Sequence, residues 1–104
     1  MGKNINSRAD FTVGDTNVPI DYTTDEDMTG DNVDFVFIKP SGESIIRDAS
    51  SISTYTARYI WASGDLDEDG IWQYCLRNIT NGYEYQGTGS FTVRPSAENM
   101  AVAK

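Results

Sequence analysis

The chain has 104 residues, with 16 Asp and Glu against 8 Lys and Arg for a formal net charge of -8, one cysteine and no histidine. That length allows one core and no second lobe to close over a substrate, while the absent histidine and the lone Cys75 exclude internal disulfides, Cys-His zinc sites and histidine-dependent triads. Such acidity repels phosphate backbones and anionic lipid, so neither nucleic acid nor a membrane is an expected partner, and no catalytic residue, cofactor or metal ligand is assigned.

Residues 1–9 are polar and lack a core pattern, so they are expected as an N-terminal tail. Met1 to Asn6 has no apolar signal region and no run in the chain approaches the length of a bilayer span, which predicts a soluble protein of a reducing cytoplasm. Asn6 stands where a myristoylation pattern needs Ser or Thr. The domain proper is expected over 10–95. Phe11 to Val13 and Val18 to Tyr22 read as strands around Gly14-Asp15-Thr16-Asn17, a turn that tolerates positive φ. Val33 to Lys39 is a dense apolar run that predicts a central strand with both faces at least partly covered. Pro40-Ser41-Gly42-Glu43 turns the chain into a short strand around Ile45 and Ile46. Ser53 to Trp61 alternates in period two, placing Tyr55, Ala57, Tyr59 and Trp61 inward and Thr54, Thr56 and Arg58 outward.

Asn81-Gly82 between two strand-like runs predicts a hairpin with a two-residue type I′ loop. That register sets Trp72 opposite Phe91, Tyr74 opposite Gly89, Leu76 opposite Gly87, Asn78 opposite Tyr85 and Thr80 opposite Tyr83. Trp72, Tyr74, Leu76, Phe91 and Val93 then face the core, and Gln73, Cys75, Arg77, Glu84, Gln86, Thr88, Ser90 and Thr92 face water. Pro95 ends the last strand before a C-terminal tail over 96–104. About seven short strands with no helical period predict an all-β, immunoglobulin-like antiparallel sandwich.

Ser63-Gly64-Asp65-Leu66-Asp67-Glu68-Asp69-Gly70-Ile71-Trp72 resembles a phrase of immunoglobulin-like domains in tailed-phage virion proteins, in particular the N-terminal domain of baseplate upper proteins and small capsid decoration proteins. Phe37-Ile38-Lys39-Pro40-Ser41-Gly42-Glu43 is similar to the apolar strand and Lys-Pro-x-Gly turn of that family, and Gly89-Ser90-Phe91-Thr92-Val93 to its closing strand. Gly14-Asp15 with Pro19-Ile20 is similar to its opening, so the resemblance spans residues 11 to 95. Glu68, Gly70, Trp72 and Tyr74 also occupy the places of the immunoglobulin corner motif Asp-x-Gly-x-Tyr-x-Cys. The departures predict a core held by packing alone: Trp72 lacks the hydroxyl that would bond back across the corner, and Tyr74 replaces the disulfide cysteine.

Several groups of residues invite chemistry. Asp65-Leu66-Asp67-Glu68-Asp69-Gly70 matches the first half of a calcium loop, but the closing position is the apolar Leu76. From Phe11 to Ile38 there are seven acids (Asp15, Asp21, Asp25, Glu26, Asp27, Asp31, Asp34) and no Lys or Arg, a solvated run or a patch for a basic partner or weakly held cation. Asn78-Ile79-Thr80 has the pattern of a glycosylation sequon. Cys75 has no histidine to activate it and reads as an inert thiol. Asn81, Tyr83 and Tyr85, at one end of the sandwich, are the candidate partner contacts. The resemblance implies a non-enzymatic virion protein assembled in the host cytoplasm. Its simplest expected role is a capsid decoration protein that binds and stabilises the assembled shell, with the major capsid protein or another virion protein as partner and a homo-oligomer left open; a tail or baseplate component, or a carbohydrate- or other ligand-binding module, is the alternative.

Overall fold

The computed structural model describes residues 10–84 and 88–95. Among them are nine strands: β1 (Asp10–Thr12), β2 (Pro19–Thr23), β3 (Val33–Ile38), β4 (Ser44–Asp48), β5 (Ser51–Ile52), β6 (Thr56–Ile60), β7 (Gly70–Asn78), β8 (Tyr83–Glu84) and β9 (Gly89–Arg94). The two-residue β5 and β8 account for the excess over the seven expected. The larger sheet runs β1-β9-β7-β3-β4 with β8 on the β7 edge, and the smaller runs β2-β6-β5. β1 lies parallel to β9 and the other pairs are antiparallel. The molecule is an immunoglobulin-like β-sandwich.

Between β4 and β5 the chain changes sheets within two residues. The Ala49 N–H donates to the Val33 carbonyl of the larger sheet and the Ser50 N–H to the Arg58 carbonyl of the smaller. Both elements of the opening turn that tolerate it, Gly14 and Asn17, take positive φ. Period-two alternation buries Ile20 and Tyr22 on β2, Phe35 and Phe37 on β3, Ala57 and Tyr59 on β6, Trp72, Tyr74 and Leu76 on β7, and Phe91 and Val93 on β9. Aromatic pairs carry much of the contact, with Trp61 tilted against Phe37 at 4.7 Å and Phe11 edge-on to Phe91 at 5.3 Å between centroids. Across the sheets Tyr22 of β2 meets Tyr74 of β7 edge-on at 6.0 Å, where an immunoglobulin domain would place its disulfide.

Two expectations are corrected, and one is refined. Tyr55 is half exposed, because the Ser53 N–H donates to the Thr56 carbonyl and closes a turn, so alternation begins only at Thr56. β3 is central within its sheet and its outward face is partly covered, as expected, with Asp34 buried, Val36 half-buried and only Ile38 exposed at 37%. In the last hairpin Trp72 and Tyr74 do pair with Phe91 and Gly89, but Asn78 pairs with Tyr83 rather than Tyr85. The connection is therefore the four residues 79–82, in which Gly82 takes a positive φ of 68° and Asn81 does not, so no type I′ turn forms. Buried Asn78 is the physical reason: its Oδ1 accepts the N–H groups of Thr80 at 3.1 Å and Asn81 at 3.4 Å, and its Nδ2 donates to Asp31 at 2.7 Å.

Candidate functional site

The Lys39-Pro40-Ser41 turn after β3 and the loop leading into β7 lie against each other. Gly70 adopts φ +130°, and a Cβ there would sit 2.8 Å from Pro40 Cγ, so only glycine permits the approach. Lys39 is buried by its stem, and its Nζ meets Asp67 at 3.0 Å and Glu43 at 3.5 Å while standing 5.9 Å from the centroid of the Trp72 ring. The hydrogen bond to Asp67, against the opposing effect of burial, raises the Lys39 pKa. The Ser41 N–H and hydroxyl donate to the Glu68 carboxylate at 3.2 and 2.9 Å. The Trp72 indole N–H donates to the Glu68 carbonyl at 3.0 Å, which corrects the expectation of a corner held by packing alone. An indole here makes the backward bond that a tyrosine hydroxyl makes in immunoglobulin domains.

Asp65, at the head of the same loop, turns inward. Its carboxylate accepts the Tyr59 hydroxyl, the Ala62 N–H at 2.9 Å and the Arg47 guanidinium at 3.2 Å. Burial pushes the Asp65 pKa up, but these three donors together outweigh it and leave it below the usual carboxylate value. Burial, then the Asp65 carboxylate, push the Tyr59 phenol up to about 12. The calcium-like half-loop is thus dispersed, with Asp65 directed to Tyr59 and Arg47, Asp67 to Lys39 and Glu68 to Ser41.

The acidic run from Phe11 to Ile38 is dispersed in the same way. Asp15 accepts the Thr12 N–H at 2.9 Å, Asp27 the Thr29 N–H at 2.8 Å, and Asp31 the Asn78 amide at 2.7 Å. Asp21 takes the Arg58 fork through two bonds, and Asp34 faces Arg77 at 3.4 Å. Asn78, fully buried and bonded, offers no acceptor nitrogen to a glycan. Burial, then the Glu84 charge, raise the Cys75 thiol pKa, which favours the protonated thiol over the nucleophilic thiolate. Of the candidate contacts, Asn81 is exposed in the β7–β8 connection, the backbone of Tyr83 pairs with Asn78, and Tyr85 lies outside the described residues.

Sequence reading missed a different surface. On the outward face of the larger sheet Ile38, Ile46 and Ile71 are 37%, 48% and 66% exposed, and Val36 is half-buried between Ile46 and Cys75. Parity was the available signal: Ile71 precedes inward Trp72, and Val36 and Ile38 alternate with inward Phe35 and Phe37.

No family model matches the chain and no curated protein matches it. Among solved structures it is similar to CopC from Methylosinus trichosporium OB3b, at 11% identity and a TM-score of 0.56 over 91% of this chain and 86% of that one. That likeness is one of fold.

Proposed function

We propose that this chain is a non-enzymatic structural module of a tailed-phage virion, most simply a capsid decoration protein that binds the assembled shell and stabilises it. The observation that carries the reading is that the phrases resembling virion domains are one structural unit: Pro40 sits on Gly70, Lys39 on Asp67 and Trp72, and Ser41 on Glu68. Those residues brace a corner of the sandwich, a framework role in keeping with a scaffold that presents a surface. The charged side chains point the same way, since all five described Lys and Arg residues are held in ion pairs. Docking then comes from the remaining exposed surface, and stabilisation follows by mass action because the assembled shell binds and the free subunit does not. A tail or baseplate position uses the same module at lower copy number.

Quantitative mass spectrometry of purified virions of the encoding phage tests this through the ratio of this chain to the major capsid subunit. A ratio near one, or a simple fraction set by capsid symmetry, supports decoration. A few per cent moves the chain to the tail or baseplate, and absence from the particle overturns the virion reading.

A further inference from the structure

We propose that the outward face of the larger sheet, along Ile46, Val36, Ile38 and Ile71, docks this chain on a protein partner whose matching surface is apolar and brings a Lys or Arg to the acidic row at one end of the stripe. The proposal deepens the virion reading by naming the face and the partner's chemistry.

The register makes the stripe continuous. Val36 pairs with Ile46 on one side and Cys75 on the other, while Ile38 pairs with Ser44 and Gln73, so Ile46, Val36, Ile38 and Ile71 run diagonally across β4, β3 and β7. An open sheet face is expected to be polar, and Gln73, Ser90 and Thr92 on the same face follow that rule. The isoleucines break it without filling the core, which is packed from the opposite face. The outward face of the smaller sheet differs, with Ile60 beside the Asp21–Arg58 pair and the bonded Thr23–Thr56 pair.

Charge selects the occupant. The next row of the sheet places Asp48, Asp34, Arg77 and Glu84 side by side on β4, β3, β7 and β8, three acids for one guanidinium. Asp34 and Asp48 stand directly opposite each other, a like-charge pair that destabilises an isolated sheet. Arg77 Nη2 reaches Asp34 at 3.4 Å, and its Nε finds no partner among the described residues. A partner cation entering beside Asp34 and Asp48 relieves that repulsion. A second copy of this chain is the weaker occupant, because each of the five cations among its described residues is already paired and two copies would meet carrying -8 each.

The test compares wild type with Ile71→Asp, Asp48→Asn and, as a control on the smaller sheet, Ile60→Asp. Cosedimentation with particles assembled without this chain is the first readout. The second is amide-shift mapping of the labelled chain with a helical Lys/Leu amphipathic peptide, against an oligolysine of equal charge. Ile71→Asp is expected to weaken particle binding at least about tenfold, with Ile60→Asp unchanged. Asp48→Asn is expected to raise Tm while weakening binding, a combination that a purely structural Asp48 would not show. Unchanged particle binding in Ile71→Asp overturns the face and leaves the virion reading standing. If wild type does not bind particles, the virion reading falls, and the peptide decides the face: shifts at Ile38, Ile46 and Ile71 that oligolysine does not reproduce support it, and shifts elsewhere or none overturn it. A concentration-dependent dimer abolished by Ile71→Asp in sedimentation equilibrium overturns the assignment of a cationic partner.

Discussion

At Gly70 a single hydrogen decides whether the corner of the sandwich closes. Alanine there meets Pro40 Cγ at 2.8 Å in a backbone of φ +130°, so strain and overpacking act together. Gly70→Ala is expected to cost about 2–4 kcal/mol in denaturant unfolding. Gly30→Ala, with φ +78° and open space around the new methyl, should cost only about 1 kcal/mol, from backbone strain alone. The Tyr59–Asp65 bond makes a prediction at both ends of the pH scale. Asp65 is lowered from 3.8, so its contribution is complete above that value and is lost as pH falls through its folded pKa. Tyr59 is raised from 10.0 to about 12, so its contribution is complete below 10.0 and is lost as pH rises between the two values. Tyr59→Phe should therefore cost about 1–3 kcal/mol at neutral pH, by leaving one buried carboxylate lone pair unmet. Its urea midpoint should converge on that of wild type as pH climbs through this alkaline window.

Asn78 shows how one buried polar side chain overrides a turn preference. It joins the 79–82 connection to Asp31 by accepting two backbone N–H groups and donating one bond, so Asn78→Ala leaves three polar groups without their partner. The variant should lose about 2–4 kcal/mol, and amide exchange should quicken first at Thr80 and Asn81. Sequence alone put this hairpin's inner face in place, because Trp72, Tyr74, Phe91 and Val93 repeat at period two and glycine stands opposite Tyr74. It misplaced the loop because Asn-Gly advertises a type I′ turn, whereas the competing Asn78 bonds depend on Asp31, distant in the chain. Tyr55 was lost for a similar reason: alternation continues through Ser53-Thr54-Tyr55, and only the backbone bond between Ser53 and Thr56 shows that a turn interrupts it. The brace was half legible. Its two phrases stood out separately by resemblance, but nothing local to either reveals that Pro40 lies on Gly70 or that Lys39 reaches Asp67. The apolar stripe was legible through parity at Ile71 and less so at Val36 and Ile38, whose alternation with inward Phe35 and Phe37 is masked by a dense apolar run that suggests partial cover on both faces.

For the whole molecule, the balance between paired and unbalanced charge sets the response to salt. Fifteen of the sixteen acids, all but Glu98, lie among the described residues with five of the eight cations, and each of those cations has an acid within 4.0 Å. Salt acts on the two populations unequally. Ion pairs such as Arg58–Asp21 at 2.8 Å and Lys39–Asp67 at 3.0 Å lie well inside the roughly 10 Å Debye length of 0.1 M salt and are held by hydrogen bonds that screening does not remove. Repulsion among the surplus acids acts over longer separations and is screened first. Four of the five pairs have one partner largely buried, where screening reaches poorly, and the exposed Arg94–Asp10 pair contributes only about 0.2–1 kcal/mol, so salt takes little from them while it quiets the net -8 of one small chain. Tm should therefore rise with sodium chloride from low ionic strength to about 0.5 M, a range over which the Debye length contracts to a few Å. Calorimetry on the isolated chain at neutral pH measures this directly. Asp48→Asn removes one member of the opposed Asp34–Asp48 pair, so its Tm should start higher and climb less steeply, and a salt slope equal to that of wild type would show that the acidic row contributes nothing to the self-repulsion.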